Sequence, residues 1–256
     1  MELILGCAEF AVPGKTLAEK LEVLEARGLW LELVNDGSVM RRINEIQETL
    51  SSFKVPVKSV QAYLQHKLRT LSASAEEREA ATRHLEETVK IASSLGAQNV
   101  VAVATYGEPE VDHAMQKCID LFKRLGKLGA ELGVTISIEA LGRPRSSFLP
   151  SVSDVCKLVR AINMSHVRAM ADTEHIHENE ENVVQTLKNH LEELEEIHLR
   201  DTGSRPPGKG EINFPAVLEV LREFKGLVCL EYQPSSDPYG DLLQALKTVG
   251  LIAGAR

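Results

Sequence analysis

The sequence predicts a single-domain α/β protein, a (β/α)8 TIM barrel over residues 1–256. Three observations predict it. Short apolar runs recur along the chain, an amphipathic segment follows each, and successive runs start 27 to 42 residues apart. That spacing is the length of one strand–helix unit, and parallel strands need such crossovers. Eight units without a break in composition favour closure into a barrel over a doubly wound open sheet. No linker, low-complexity segment or second domain interrupts them.

The strands are expected at ELILGC (2–7), WLELV (30–34), VKSVQAY (57–63), NVVAVAT (99–105), TISIEAL (135–141), VRAMADT (167–173), EIHLRDT (196–202) and LVCLEYQ (227–233). Between them, TLAEKLEVLEARG, ASAEEREAATRHLEETVKIASSLG, DHAMQKCIDLFKRLGKLGAELG and NVVQTLKNHLEELEE carry apolar residues at helical spacing. Gly28, Gly96 and Gly133 suit helix C-caps. The run EELEE (192–196) reads as a solvated helix end.

Composition bounds the function. With 43% apolar and 26% charged residues the chain has an ordinary globular make-up. Its net charge of −8 disfavours nucleic acid, whose phosphates need basic patches. Cys7, Cys118, Cys156 and Cys229 form no CxxC pair, which fits reduced thiols and a cytoplasmic location. Cys7 and Cys229 are expected to pack as small hydrophobes. MELILGCAEF lacks the basic segment and long apolar core of a signal peptide, and no apolar run is long enough to span a membrane. A homo-oligomer is compatible with all of this.

Barrel active sites lie at the carboxyl ends of the strands. Alternation in TISIEAL sends Ile136 and Ile138 outward and Glu139 inward; the same rule turns Asp172, His198 and Glu231 inward on the next three strands. Four consecutive strands therefore each deliver one metal-capable side chain to one mouth, at separations of 33, 26 and 33 residues. Three converging carboxylates repel unless a cation holds them together. Glu139, Asp172, His198 and Glu231 are thus expected to bind one divalent metal ion. An oxygen-rich set with one nitrogen suits Mn²⁺ first, with Mg²⁺, Co²⁺ and Zn²⁺ as alternatives. The Gly- and Pro-rich loop after His198 would let the chain turn sharply over the site.

These motifs resemble the xylose isomerase-like barrels of the sugar phosphate isomerase/epimerase family, the ketose 3-epimerase type in particular. The resemblance rests on IEA (Glu139), DTEH (Asp172 to His175), HLRD (His198 to Asp201) with PGKGEI (Gly208, Gly210, Glu211), and CLEY (Glu231). It covers the whole chain as a fold and is specific from about Ile136 to Tyr232. It implies a mononuclear metal site of the same four ligands, Glu139 and Glu231 doubling as the acid/base pair, and His175 touching a substrate hydroxyl. The chain departs from the family where a substrate-binding Glu becomes Arg145, and where an Arg six residues past the strand 7 His becomes Ser204, with Arg205 next to it.

The expected activity is metal-dependent isomerisation or epimerisation of a ketose, sugar phosphate or sugar acid. One Glu removes the proton beside a carbonyl, the cation steadies the enediolate, and the other Glu returns the proton. Arg143, Arg145 and Arg205, in loops after strands 5 and 7, point to an anionic substrate or else are solvated. Arg145 and Arg205, with His175, are the expected substrate contacts. Glu32, Gln61 and Tyr63 are candidates for the pocket wall, whereas His113 and His177 read as surface residues. The partner is a small carbohydrate, with no nucleic acid and no membrane. Two rival activities fit the same site: an inosose dehydratase-type lyase, and an endonuclease IV-like phosphodiesterase. The second needs extra His ligands that SVQAYLQH, VAVATYGE and TGSRPPGKGEI lack. A metal-bearing sugar-binding protein without turnover is a third class.

Overall fold

In a computed structural model that describes residues 4–250, strands β1 (Leu5–Ala8), β2 (Trp30–Val34), β3 (Val57–Gln61), β4 (Asn99–Val103), β5 (Thr135–Glu139), β6 (Val167–Asp172), β7 (Leu194–Leu199) and β8 (Leu227–Leu230) close into a parallel barrel. Every strand pairs with its sequence neighbour, and β8 pairs back onto β1. Around it run helices α1 (Leu17–Arg27), α2 (Ile43–Ser51), α3 (Ala75–Ser94), α4 (Ala114–Leu132) and α5 (Val152–Ile162). The second half adds α6 (Thr173–Glu178), α7 (Val183–His190), α8 (Phe214–Leu221) and α9 (Pro238–Thr248). Among the described residues no helix is long and apolar enough to cross a membrane. The four cysteines are free and buried.

Local chemistry sets the ends of these elements. Thr16 caps α1 by accepting the Glu19 N–H at 3.2 Å, and Gly28 closes the helix at φ 66°, a conformation that costs glycine little. Ser74 and Ser151 cap α3 and α5 in the same way.

Several expected boundaries move: β4 and β5 end two residues early, β7 and β8 three, and three further shifts follow. Residues 2 and 3, placed in the first strand, lie outside the described residues, and β1 runs from Leu5 to Ala8. β3 stops at Gln61, and Tyr63 sits in a short 3-10 turn (Tyr63–His66) with 43% of its surface exposed. The largest correction concerns EELEE. The helix expected there ends at His190, Leu194 starts β7, and Glu196 is wholly buried. Four acidic residues around one Leu satisfy a helical pattern on paper, but Leu194 pairs with Ala169 and Glu196 with Met170 in the sheet.

The strands divide the interior in two. Outward side chains such as Cys7, Leu31, Val100, Ile136, Ala169, Ile197 and Val228 join the helices in one large apolar core. Inside the barrel the apolar filling is sparse: Ala8, Trp30 and Cys229 form a separate small cluster. Gly6 pairs with Trp30, and the indole lies flat against the space a side chain would need there. Val101 and Met170 also turn inward, but much of the remaining interior is polar. Ser59, Asn99, Ser137, Glu32, Glu196 and His198 are all fully buried.

Candidate metal centre and cavity

The β-strands deliver the four expected ligands as the alternation requires. Glu139 and Asp172 end β5 and β6, His198 lies one residue before the end of β7, and Glu231 follows β8 directly. The Glu231 N–H still bonds to the Leu199 carbonyl at 3.2 Å, so its position is fixed by the sheet. Asp172 is also the N-cap of α6. Its Oδ1 accepts the N–H groups of Glu174 (2.7 Å) and His175 (3.1 Å), which leaves Oδ2 outside the cap, 2.9 Å from Arg200 Nε. This cap is the physical content of the spacing Asp-x-x-His: the turn that fixes Asp172 carries His175 to the same face.

Ligand atoms of Glu139, Asp172 and His198 lie within 4.8 Å of one another, and Glu231 Oε2 is 3.5 Å from His198 Nδ1. A cation with bonds of about 2.0–2.2 Å holds its donors up to about 4.4 Å apart, close to the spread of the Glu139, Asp172 and His198 atoms. The fit can be judged atom by atom. Glu139 Oε1, Asp172 Oδ2, His198 Nδ1 and Glu231 Oε2 are each buried without an aligned hydrogen-bond donor. Each of the four residues thus contributes one atom without an aligned hydrogen bond, two of them beside Arg200. Such atoms are costly to bury, and a divalent cation would satisfy all four together.

A cavity of about 230 Å³ opens above this cluster. Glu139, Glu231, His175, Arg145, Arg200 and Gln61 are among the residues that line it. Gln61 donates to Glu231 Oε1 at 2.8 Å and so holds the second oxygen of that carboxylate. His175 is buried, with Nε2 3.7 Å from Glu139 Oε1 and Nδ1 2.9 Å from Glu178. Arg145 is half-buried and pairs with Glu178, with Glu174 at 3.8 Å. Arg205 does not reach the cavity. It is exposed and folds back onto Thr202, bonding to its carbonyl at 2.7 Å and its hydroxyl at 3.0 Å. Arg143 is exposed as well. Tyr63 and Gln61 do line the cavity, whereas Glu32 lies beneath the ligand cluster against His198.

Arg200 is the residue that the strand pattern held but the motif reading passed over. It stands two after His198 and therefore shares its inward face. Its Nε lies 2.9 Å from Asp172 Oδ2 and 3.0 Å from Glu174 Oε2, Nη1 is 3.1 Å from Glu231 Oε2, and Nη2 is 2.9 Å from His175 Nε2. Asp201, by contrast, serves the loop. Its carboxylate accepts N–H groups from Thr202 (2.9 Å), Gly208 (3.0 Å), Gly210 (2.8 Å) and Ile212 (3.1 Å). A Cβ on Gly210 would stand 2.2 Å from Asp201 Oδ1, so this turn requires glycine there.

The protein's own charges separate the two glutamates. Burial raises the pKa of Glu139, more than the nearby His175 lowers it. Burial works on Glu231 too, but Arg200 and His198 outweigh it and hold that carboxyl well below the usual range. Environments that drive two carboxyl groups apart suit one as proton donor and the other as acceptor.

Known proteins share this architecture. A family profile described as "Xylose isomerase-like TIM barrel" matches residues 25–249. The 3-dehydro-D-guloside 4-epimerase of Escherichia coli K12 is 24% identical over 183 residues, 65% of this chain and 70% of that protein. Among solved structures, a 3-keto-D-glucoside 4-epimerase from E. coli superposes with a TM-score of 0.86 at 20% identity, over 97% of this chain and 99% of its own. The IOLI protein, solved with a bound zinc atom, gives a TM-score of 0.80 at 17% identity, over 98% and 100% of the two chains.

Proposed function

Because the chain belongs to the family of xylose isomerase-like TIM barrels, we propose that it is a cation-dependent sugar isomerase of the epimerase type. One observation carries the reading: four buried ligand atoms, one from each of four consecutive strands, lack an aligned hydrogen bond, and two of them lie beside the Arg200 guanidinium. Glu139, Asp172, His198 and Glu231 would hold a divalent ion, Mn²⁺ by preference. The ion would polarise a substrate carbonyl and acidify the neighbouring C–H.

The chain's own groups do the rest. Glu231, held ionised by Arg200, accepts the proton from the carbon beside the carbonyl. Glu139, the second carboxyl group at the cavity, returns one. Return to the opposite face of the same carbon gives epimerisation, and return to the neighbouring carbon gives aldose–ketose interconversion. His175 and Arg200 project into the cavity and bind substrate hydroxyl groups.

The charge balance favours an uncharged sugar or glycoside. Arg145 and Arg200 are already matched by Glu178, Glu174, Asp172 and Glu231, and Arg205 faces away. No guanidinium at the cavity is left to balance a phosphate. A cytoplasmic location is part of the proposal, in keeping with four reduced, buried thiols.

The test is incubation with Mn²⁺ and a panel of free ketoses, keto-glycosides, inososes and phosphorylated ketoses in D₂O, followed by chelation of the metal and NMR. Deuterium in an unphosphorylated keto sugar, lost when chelator is present from the start, is the expected result. Water loss from an inosose would make the protein a lyase. Binding without exchange across the panel would refute catalysis.

A further inference from the structure

Below the ligand cluster lies a second group of acids that the proton-transfer chemistry does not use. Glu32 of β2 and Glu196 of β7 are wholly buried, on the floor side of His198. His198 Nε2 is 3.2 Å from Glu32 Oε2 and 3.4 Å from Glu196 Oε1, whereas Nδ1 faces Glu231 at 3.5 Å. The far oxygen of Glu196 is anchored by Ser59 Oγ at 2.7 Å and Asn99 Nδ2 at 2.6 Å, and Ser137 Oγ in turn holds Asn99 Oδ1 at 2.7 Å. Residues from three other strands thus fix where Glu196 stands, while Glu32 is held by His198 itself.

We propose that Glu32 and Glu196 are positioning residues that hold His198 with its Nε2–H pointing down and its Nδ1 lone pair pointing at the cation. A ring nitrogen between two carboxyl oxygens is best satisfied as a donor, and the other nitrogen then has no proton to lose before it ligates. Glu32 supplies the aligned hydrogen bond; Glu196, which cannot swing away, closes the other side. This inference rests on the cation site proposed above, and the experiment keeps the two apart.

The probe is Mn²⁺ itself, titrated into the full-length chain and followed by electron paramagnetic resonance. The companion measurement is a long-range ¹H–¹⁵N histidine spectrum of protein stripped of metal. The expected spectrum shows a proton on His198 Nε2 that exchanges slowly with solvent. Glu32→Ala should speed its exchange and weaken Mn²⁺ binding by about 10- to 100-fold. Glu32→Gln keeps an oxygen acceptor and should restore most of both. Glu196→Gln provides a second reading should Glu32→Ala fail to fold. Wild-type Mn²⁺ affinity in Glu32→Ala, or an Nε2 proton that exchanges as before, overturns the inference. Two equivalents of Co²⁺ with a thiolate band that Cys229→Ser abolishes would also overturn it, by making Glu32 and Glu196 ligands. A wild-type protein that takes up no Mn²⁺ at all sinks the cation site, while the Nε2 proton still reports whether the clamp exists.

Discussion

Gly6→Ala tests whether the barrel floor is built as described. The new Cβ would stand 2.2 Å from Trp30 Cδ2 and Cε2 and 2.5 Å from Cε3, where ordinary contact begins at 3.4 Å. The ring must therefore retreat by more than an ångström. It has little room, because Trp30 is 1% exposed, packs on Ala8 and Cys229, and donates its indole N–H to the Ile4 carbonyl at 3.2 Å. Overpacking of this kind costs about 1–3 kcal/mol, and a clash against a rigid ring belongs at the upper end. For a chain of this length about 3 kcal/mol lowers the melting temperature by roughly 6–12 °C. Trp30 is the only tryptophan, so its fluorescence reports both the unfolding and the local displacement. Gly133→Ala is the control. There φ is 71° and no atom lies within 4 Å of the new Cβ, so it should cost about 1–2 kcal/mol through the backbone alone and leave the native emission unchanged. A Gly6→Ala protein with wild-type emission and a wild-type midpoint would refute the packing argument.

Other outcomes follow from the same structure. Glu231→Gln, loaded with metal, should lose solvent deuterium exchange into the sugar by at least about 100-fold; exchange at the wild-type rate would remove the two-glutamate scheme. His84 is buried on α3 and burial lowers its pKa to about 4, against 6.5 when unfolded. Between those values only the unfolded chain binds the proton, so stability falls as pH drops from 6.5 to 4, by about 3 kcal/mol in all. His84→Leu should flatten that part of the urea-midpoint curve relative to wild type, and parallel curves would count against it. Asp201→Ala should cost roughly 3 kcal/mol or more by leaving four N–H groups without their acceptor, and should speed amide exchange at Gly208, Gly210 and Ile212. Unchanged exchange there would show that the loop holds itself.

Alternation makes the inward direction of Glu139, Asp172, His198 and Glu231 readable from the sequence. Ile136, Ile138, Ile197 and Leu199 all face the helices, and once they are assigned outward the polar residues between them have only one direction left. Glu196 and Arg200 obey the same rule, two residues before and two after His198. Glu196 was hidden because EELEE also fits a helix, and because burying a carboxylate is costly unless partners exist that lie 97 and 137 residues away. Arg200 was hidden because long cations usually reach solvent, and nothing local in the chain announces that Asp172, Glu174 and Glu231 surround it. Arg205 was misplaced for the opposite reason. Loop residues have no periodicity, and only the turn built on Asp201 decides where that side chain goes.

The hydrogen bonds from Ser59 and Asn99 to Glu196 cross the full width of the barrel, joining the third and fourth strands to the seventh. Neither half of the chain can therefore satisfy its own interior. A fragment ending after the fourth strand would leave the Asn99 amide only the Ser59 hydroxyl, at 3.4 Å, and its complement would leave Glu196 beside His198 with its other oxygen unanchored. Such a molecule is ill suited to descend by duplication of a self-sufficient half, or to be cut and reassembled by design, unless that diagonal tie is first replaced by hydrocarbon.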